Sequence, residues 1–188
     1  MIKQLTQALS YISSKDNVNI LNTEKAVCLL FLADRLSMRL YNQSITNLSY
    51  LIMVTDKTEN KNEDNTEYSI QTKVSEIMWN FRPNSVEEEY MDKYIKRSDT
   101  GIESIDYDNT ILTTNQLECI NKVYEFFNNA SNELLLSYVM SLIEDFIKEL
   151  AIIFLPEDFL EGKNDTFFNQ TEEELVELRT KYKESLVI

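Results

Sequence analysis

Histidine is absent from the 188 residues, and glycine, proline and cysteine occur only twice each. Without histidine, no Ser-His-Asp or Cys-His nucleophile pair, no HExxH or Cys-His zinc site and no imidazole acid–base step can be assembled. The two glycines, Gly101 and Gly162, stand alone, so there is no phosphate-cradling loop and no dinucleotide fingerprint. Sandwiches and barrels draw heavily on glycine and proline for their turns, so this scarcity points to helices. Cys28 and Cys119 form no CxxC pair and fall within apolar helical patterns, where they read as reduced core thiols. Long hydrophobic runs are missing as well. Val27–Ala33 and Ala151–Leu155 are far shorter than the roughly 20 residues a membrane span requires. The first residues, Met1 to Gln7, are amphipathic and unlike a leader with a continuous apolar stretch. The expected setting is cytoplasmic, with no membrane partner and no cofactor.

What the chain has in excess is negative charge. Thirty-two acidic residues face 18 basic ones, a net charge of −14. Such a field repels nucleic acid, whose binding rests on Lys and Arg neutralising phosphates, and favours encounter with a basic protein. Asp106-Tyr107-Asp108-Asn109-Thr110 matches the DxDxT spacing of phosphatases with an aspartate nucleophile. That chemistry needs a buried parallel strand before it, and Ile102–Ile105 is short and not fully apolar. A polar hairpin or strand end is the better reading, and metal binding is not expected. The acidic runs Glu87–Glu89 and Glu172–Glu174 follow helix starts, where the helix dipole favours negative charge.

The length suits one domain, residues 1–188. Ile2, Leu5, Leu9 and Ile12 mark a first amphipathic helix. A second runs from the capping residues at Asn22–Glu24 to about Leu40 and is apolar around almost its whole circumference, as a buried central helix is. Asp34 and Arg35 interrupt it and require partners there. Residues 45–54 suggest a strand or a short helix leading into one, and about 55–67 a polar solvated loop. Helical patterns follow at about 70–80, 85–97, 113–128, 132–154 and 171–186, with strands expected between 98 and 112. The fold class is mainly α (α+β), a compact helical domain around a buried central helix with a small β-hairpin element. The last helix carries an apolar stripe of Leu175, Leu178, Tyr182 and Leu186, which suits either the chain's own core or a partner's groove; the internal packing is preferred.

Leu30-Phe31-Leu32-Ala33-Asp34-Arg35-Leu36, followed by Tyr41, Ile45-Thr46 and Tyr50, resembles the signature of the Panacea domain, the SocA-like antitoxin family. Leu112–Glu118 with Val123-Tyr124 is similar to that family's strand-to-helix junction and the helix after it. Together the two stretches cover about a third of the chain. Asn42 stands where the family has glycine, and the family's Gly-Pro-x-Pro turn and Thr-His pair have no counterpart, so the resemblance is to a divergent member. It implies a mostly helical domain with a small β element. It also implies a role in neutralising a toxin encoded alongside, either by direct binding or by delivery to a protease as an adaptor.

No active site is needed for that work, so the chain is expected not to be an enzyme. Its expected partner is a cognate toxin of basic character, with a protease as a further adaptor target and no direct nucleic acid. Phe31, Asp34, Arg35, Tyr41, Ile45, Thr46 and Tyr50 carry over as structural anchors. The candidate contacts are Trp79, Phe81 and Arg82, aromatic and Arg types common at interfaces, and Glu172, Glu173 and Glu177 on the last helix. The alternative is an acidic phage or mobile-element inhibitor of a host nucleic-acid-binding or defence protein, acting as a DNA mimic.

Overall fold

In a computed structural model the chain is described at residues 2–16, 20–56, 66–72, 85–143, 146, 151–161 and 170–185. Among these are six α-helices: α1 (Ile2–Lys15), α2 (Thr23–Tyr41), α3 (Val86–Tyr94), α4 (Thr114–Phe127), α5 (Asn132–Ile143) and α6 (Glu172–Ser185). Five strands and a 3-10 helix (Pro156–Leu160) accompany them: β1 (Tyr50–Asp56), β2 (Thr66–Thr72), β3 (Ile95–Ser98), β4 (Gly101–Ser104) and β5 (Ala151–Phe154). The fold is mainly α, arranged around a buried central helix, and β3–β4 is the small hairpin expected from the sequence. No helix among the described residues is long and apolar enough to cross a membrane.

Helix α2 is the axis of the domain. The Asn22 side chain accepts the N–H groups of Glu24 (2.9 Å) and Lys25 (3.2 Å) and so starts the helix. Every residue from Ala26 to Arg39 is then buried. Helices α1, α4 and α5 and the 3-10 helix all pack on α2. Fully burying each large apolar side chain contributes about 1.5–3 kcal/mol, which is why a helix apolar on every side belongs at the centre. Leu40, one residue beyond this run, departs from the expected apolar circumference and is exposed.

Several boundaries differ from the sequence reading. The helix expected to reach Arg97 stops at Tyr94, and Ile95–Ser98 pairs antiparallel with Gly101–Ser104. Residues 151–154, expected as the end of a helix from 132, form β5 instead and pair with Tyr50–Met53 of β1. Ile152, Ile153 and Phe154 are β-branched or aromatic, and the partner strand decides between two periodicities that a short apolar run cannot distinguish. The polar stretch at 55–67 begins and ends inside an antiparallel pair, with Thr55 opposite Glu67 and Asp56 opposite Thr66; residues 57–65 lie outside the described chain. Ile70–Thr72, expected at the start of a helix, belong to β2, and the rest of that expectation falls outside the described residues. Strands β2, β1 and β5 form one sheet with β1 at its centre.

Gly101 marks a close approach. Leu21 and Ile102 exchange two main-chain hydrogen bonds of 2.8 Å, which ties the segment before α2 to the hairpin. A Cβ at Gly101 would collide with the Leu21 carbonyl oxygen, a backbone atom that cannot rotate away. Gly101→Ala is expected to destabilise the fold by about 2 kcal/mol, read as a lower urea midpoint at unchanged slope.

Candidate functional site

Five of the seven residues expected to be structural anchors, Phe31, Asp34, Ile45, Thr46 and Tyr50, meet around one buried carboxylate. Asp34 lies on α2 with no exposed surface, two turns before the helix ends. Its Oδ1 accepts the Ser44 hydroxyl (2.7 Å) and the main-chain N–H groups of Ile45 (2.6 Å) and Thr46 (3.0 Å). Its Oδ2 accepts the Thr46 hydroxyl (2.5 Å) and the Tyr50 hydroxyl (2.6 Å). Five donors therefore meet one carboxylate that water does not reach, which is the condition for keeping a charge in a protein interior.

The same hydroxyls also order the loop that supplies them. Ser44 Oγ accepts the Asn47 N–H (2.8 Å), and Thr46 Oγ1 accepts the Leu48 N–H (3.3 Å). Ser37 Oγ donates to the Gln43 carbonyl at 2.5 Å. Asn42 and Asn47 take left-handed backbone with φ of 56° and 54°. Asn42 thus makes the turn at the end of α2, since asparagine is the side chain best suited to that conformation after glycine. Phe31 meets the Tyr50 ring edge-on at 5.1 Å. Burial first, and the neighbouring Asp34 next, push the Tyr50 hydroxyl well above its ordinary range, so it remains a donor.

Two of the motif residues stand apart from this centre. Arg35 is buried on the same helix and has a partner of its own. Tyr41 is 36% exposed and donates to Glu118 Oε2 on α4 at 3.1 Å, while Lys122 pairs with Glu118 Oε1 at 2.7 Å.

Arg39 carries no signal in the sequence pattern beyond being a second arginine on a helix apolar all round, yet it is fully buried. Its Nε donates to the Phe159 carbonyl and its Nη2 to the Glu161 carbonyl, each at 2.8 Å. Arg179 on α6 donates to the Leu160 carbonyl at 3.1 Å. These two guanidinium groups satisfy the open carbonyls at the end of the 3-10 helix, where its dipole favours positive charge. Gln170 donates to the Arg39 carbonyl at 3.2 Å.

Among the contact candidates, Trp79, Phe81 and Arg82 lie outside the described residues. Glu172, Glu173 and Glu177 are exposed on α6. Glu172 is paired with Arg179 (3.1 Å) and Glu177 with Lys181 (2.6 Å), so the helix offsets part of its own negative charge. The α6 stripe turns inward: Leu175 is buried, Leu178 and Tyr182 pack against the core, and Leu186 is outside the described residues. Thr171 and Glu174 cap this helix reciprocally.

The DxDxT stretch is a local turn. The strand before it, β4, belongs to an antiparallel hairpin, and Asp108 Oδ1 accepts the Thr110 N–H (3.0 Å) and hydroxyl (2.6 Å). These bonds come first in holding the Asp108 carboxyl below its usual range. Asp106 Oδ1 accepts the N–H of Tyr107. A cleft of about 360 Å³ is lined by Ser13, Ser14, Ser104, Asp106 and their neighbours. Ser13 is bound to the Ile102 carbonyl (2.8 Å), and Ser104 shares a 2.7 Å hydrogen bond with Ser10. A comparison with models of known protein families, and searches of curated proteins and of solved structures, found no match to the chain.

Asp34→Asn keeps the shape but turns an amide donor toward groups that are themselves donors. It is expected to destabilise the fold by about 3 kcal/mol, and Tyr50→Phe by about 2 kcal/mol, with the double variant less than additive in a urea double-mutant cycle. Burial pushes the Cys28 thiol up from 9.0 to about 12 and the Cys119 thiol up to about 11. A thiol whose folded value exceeds its unfolded value holds its proton more tightly when folded. The stability so gained is complete below pH 9 and is lost as pH rises through those folded values. The urea midpoint is therefore expected to fall between about pH 9 and 12, and less so in Cys28→Ala.

Proposed function

We propose that this chain is an antitoxin-like protein, a divergent relative of the Panacea (SocA-like) domains, that neutralises a cognate toxin by direct binding without chemistry of its own. The observation that carries this reading is the Asp34 centre. Phe31, Asp34, Ile45, Thr46 and Tyr50, separated by up to 19 positions in the sequence, form one connected buried cluster. That is what residues of a structural signature would do.

The charge supports the same reading. A chain of net charge −14 attracts a basic protein from a distance, speeding encounter without requiring a catalytic group. The rival reading, a DNA mimic aimed at a host protein, needs an unbroken row of carboxylates. On α6 that row is interrupted by Arg179 and Lys181, so toxin binding is favoured. Neutralisation by delivery to a protease would use the same toxin contact and add a second one.

Co-expression with the product of the neighbouring gene tests the proposal. The neighbour alone is expected to arrest growth, and together the two proteins are expected to restore it and to co-purify in a fixed ratio. The association rate is expected to fall about tenfold or more between low and physiological salt. Rescue without co-purification, or a rate independent of salt, would count against direct electrostatic capture.

A further inference from the structure

The two outer strands of the β2-β1-β5 sheet are covered differently. Helix α5 lies against β2. Among the described residues β5 is hydrogen-bonded only to β1, with Leu51 opposite Ile153 and Tyr50 opposite Phe154. An outer strand offers a row of main-chain donors and acceptors on which another extended chain can build. Folded proteins usually guard such edges with charge, and β3 shows the device. Lys96 pairs there with Glu103 (3.7 Å), and Arg97 with Asp92 (2.8 Å) and Glu88 (3.5 Å). Strand β5, Ala-Ile-Ile-Phe, carries no charge and no proline.

The side chains around this edge are apolar as well. Tyr50, Ile52 and Phe154 point into the core, so their neighbours point outward. Ile153 is 62% exposed and Leu155 38%, and Leu51 and Met53 are half-buried on the face shared with Ile153. Charge selects the occupant. Asp158 accepts the Leu155 N–H at 2.7 Å where the chain leaves the strand, and Glu157 and Glu161 are exposed beside it. Burial chiefly raises the Asp158 carboxyl, the Leu155 N–H opposes the rise, and Glu157 and Glu161 add to it in smaller part. The nearby cations Arg39 and Arg179 are engaged with the carbonyls of the 3-10 helix. A second copy of the chain would bring its own charge of −14 to the edge, whereas a basic strand would relieve the repulsion.

We infer that the outer edge of β5 accepts, by strand addition, an extended basic and apolar segment of a partner protein. This segment belongs to the toxin, and in that respect the inference rests on the proposed function. Main-chain hydrogen bonds supply affinity in such a joint, and the outward apolar side chains with the surrounding carboxylates supply selectivity.

The probe is a short fluorescent peptide of alternating lysine and valine, titrated into the full chain and followed by anisotropy and amide hydrogen exchange. It is expected to bind and to slow exchange at residues 151–155. Alternate N-methylation of the peptide backbone, replacement of its lysines by glutamates, and Ile153→Lys in the protein are each expected to weaken binding about tenfold or more. Ile153 is exposed, so the variant's urea midpoint is expected to hold. No binding, or binding unaffected by N-methylation and by Ile153→Lys, overturns the inference. So does a dimer in sedimentation that Ile153→Lys dissolves, which would make a second copy the occupant. Toxin co-purification with no peptide binding would sink this inference alone, and peptide binding with no neutralised neighbour would sink the functional reading alone.

Discussion

A carboxylate withdrawn from water must be met by donors, and at Asp34 that requirement shapes the middle of the molecule. The donors come from the loop immediately following α2 and from the first residue of β1. Satisfying one charge therefore fixes where the chain turns after the central helix and where the sheet begins. Tyr50 transmits the constraint further, because its ring packs against both Phe31 and Phe159. An apolar residue at position 34 could fill the same space but could not specify a loop conformation with two left-handed asparagines.

The central helix with its cap at Asn22, and the starts of α4 and α6 near Thr113 and Thr171, were legible in the sequence because they depend on local chemistry, which the structure completes with the Thr113–Gln116 and Thr171–Glu174 pairs. The need of Asp34 for partners was legible too, since charges inside so apolar a run demand them. Strand β5 was not, because Ile152 and Ile153 suit either periodicity and only pairing with β1, about a hundred residues away, decides. Arg39 was hidden for a related reason. Its partners are main-chain carbonyls, which have no signature in a sequence.

The two cationic side chains that touch the 3-10 helix and the acidic residues that follow β5 divide the labour of charge. Arg39 and Arg179 are committed to holding the fold, which leaves Glu157 and Glu161 to act outward. Among the described residues, other cations are paired with neighbouring carboxylates, as at Arg97, Lys122 and Lys181. Each such pair cancels a carboxylate together with its cation, so the field seen by an approaching protein remains that of the net charge of −14.

The hydrogen bond from Arg39 to the Phe159 carbonyl joins positions 120 apart in the chain. During synthesis α2 leaves the ribosome long before the carbonyls that its arginine requires, and before the strand that completes the sheet beside it. The guanidinium, and the side of α2 that meets the 3-10 helix, stay without these partners until residues 156–161 have been made, whereas α1 and α4, which also pack on α2, are made earlier. Closing the core on that side of the central helix is therefore a late, long-range step in the folding of this chain.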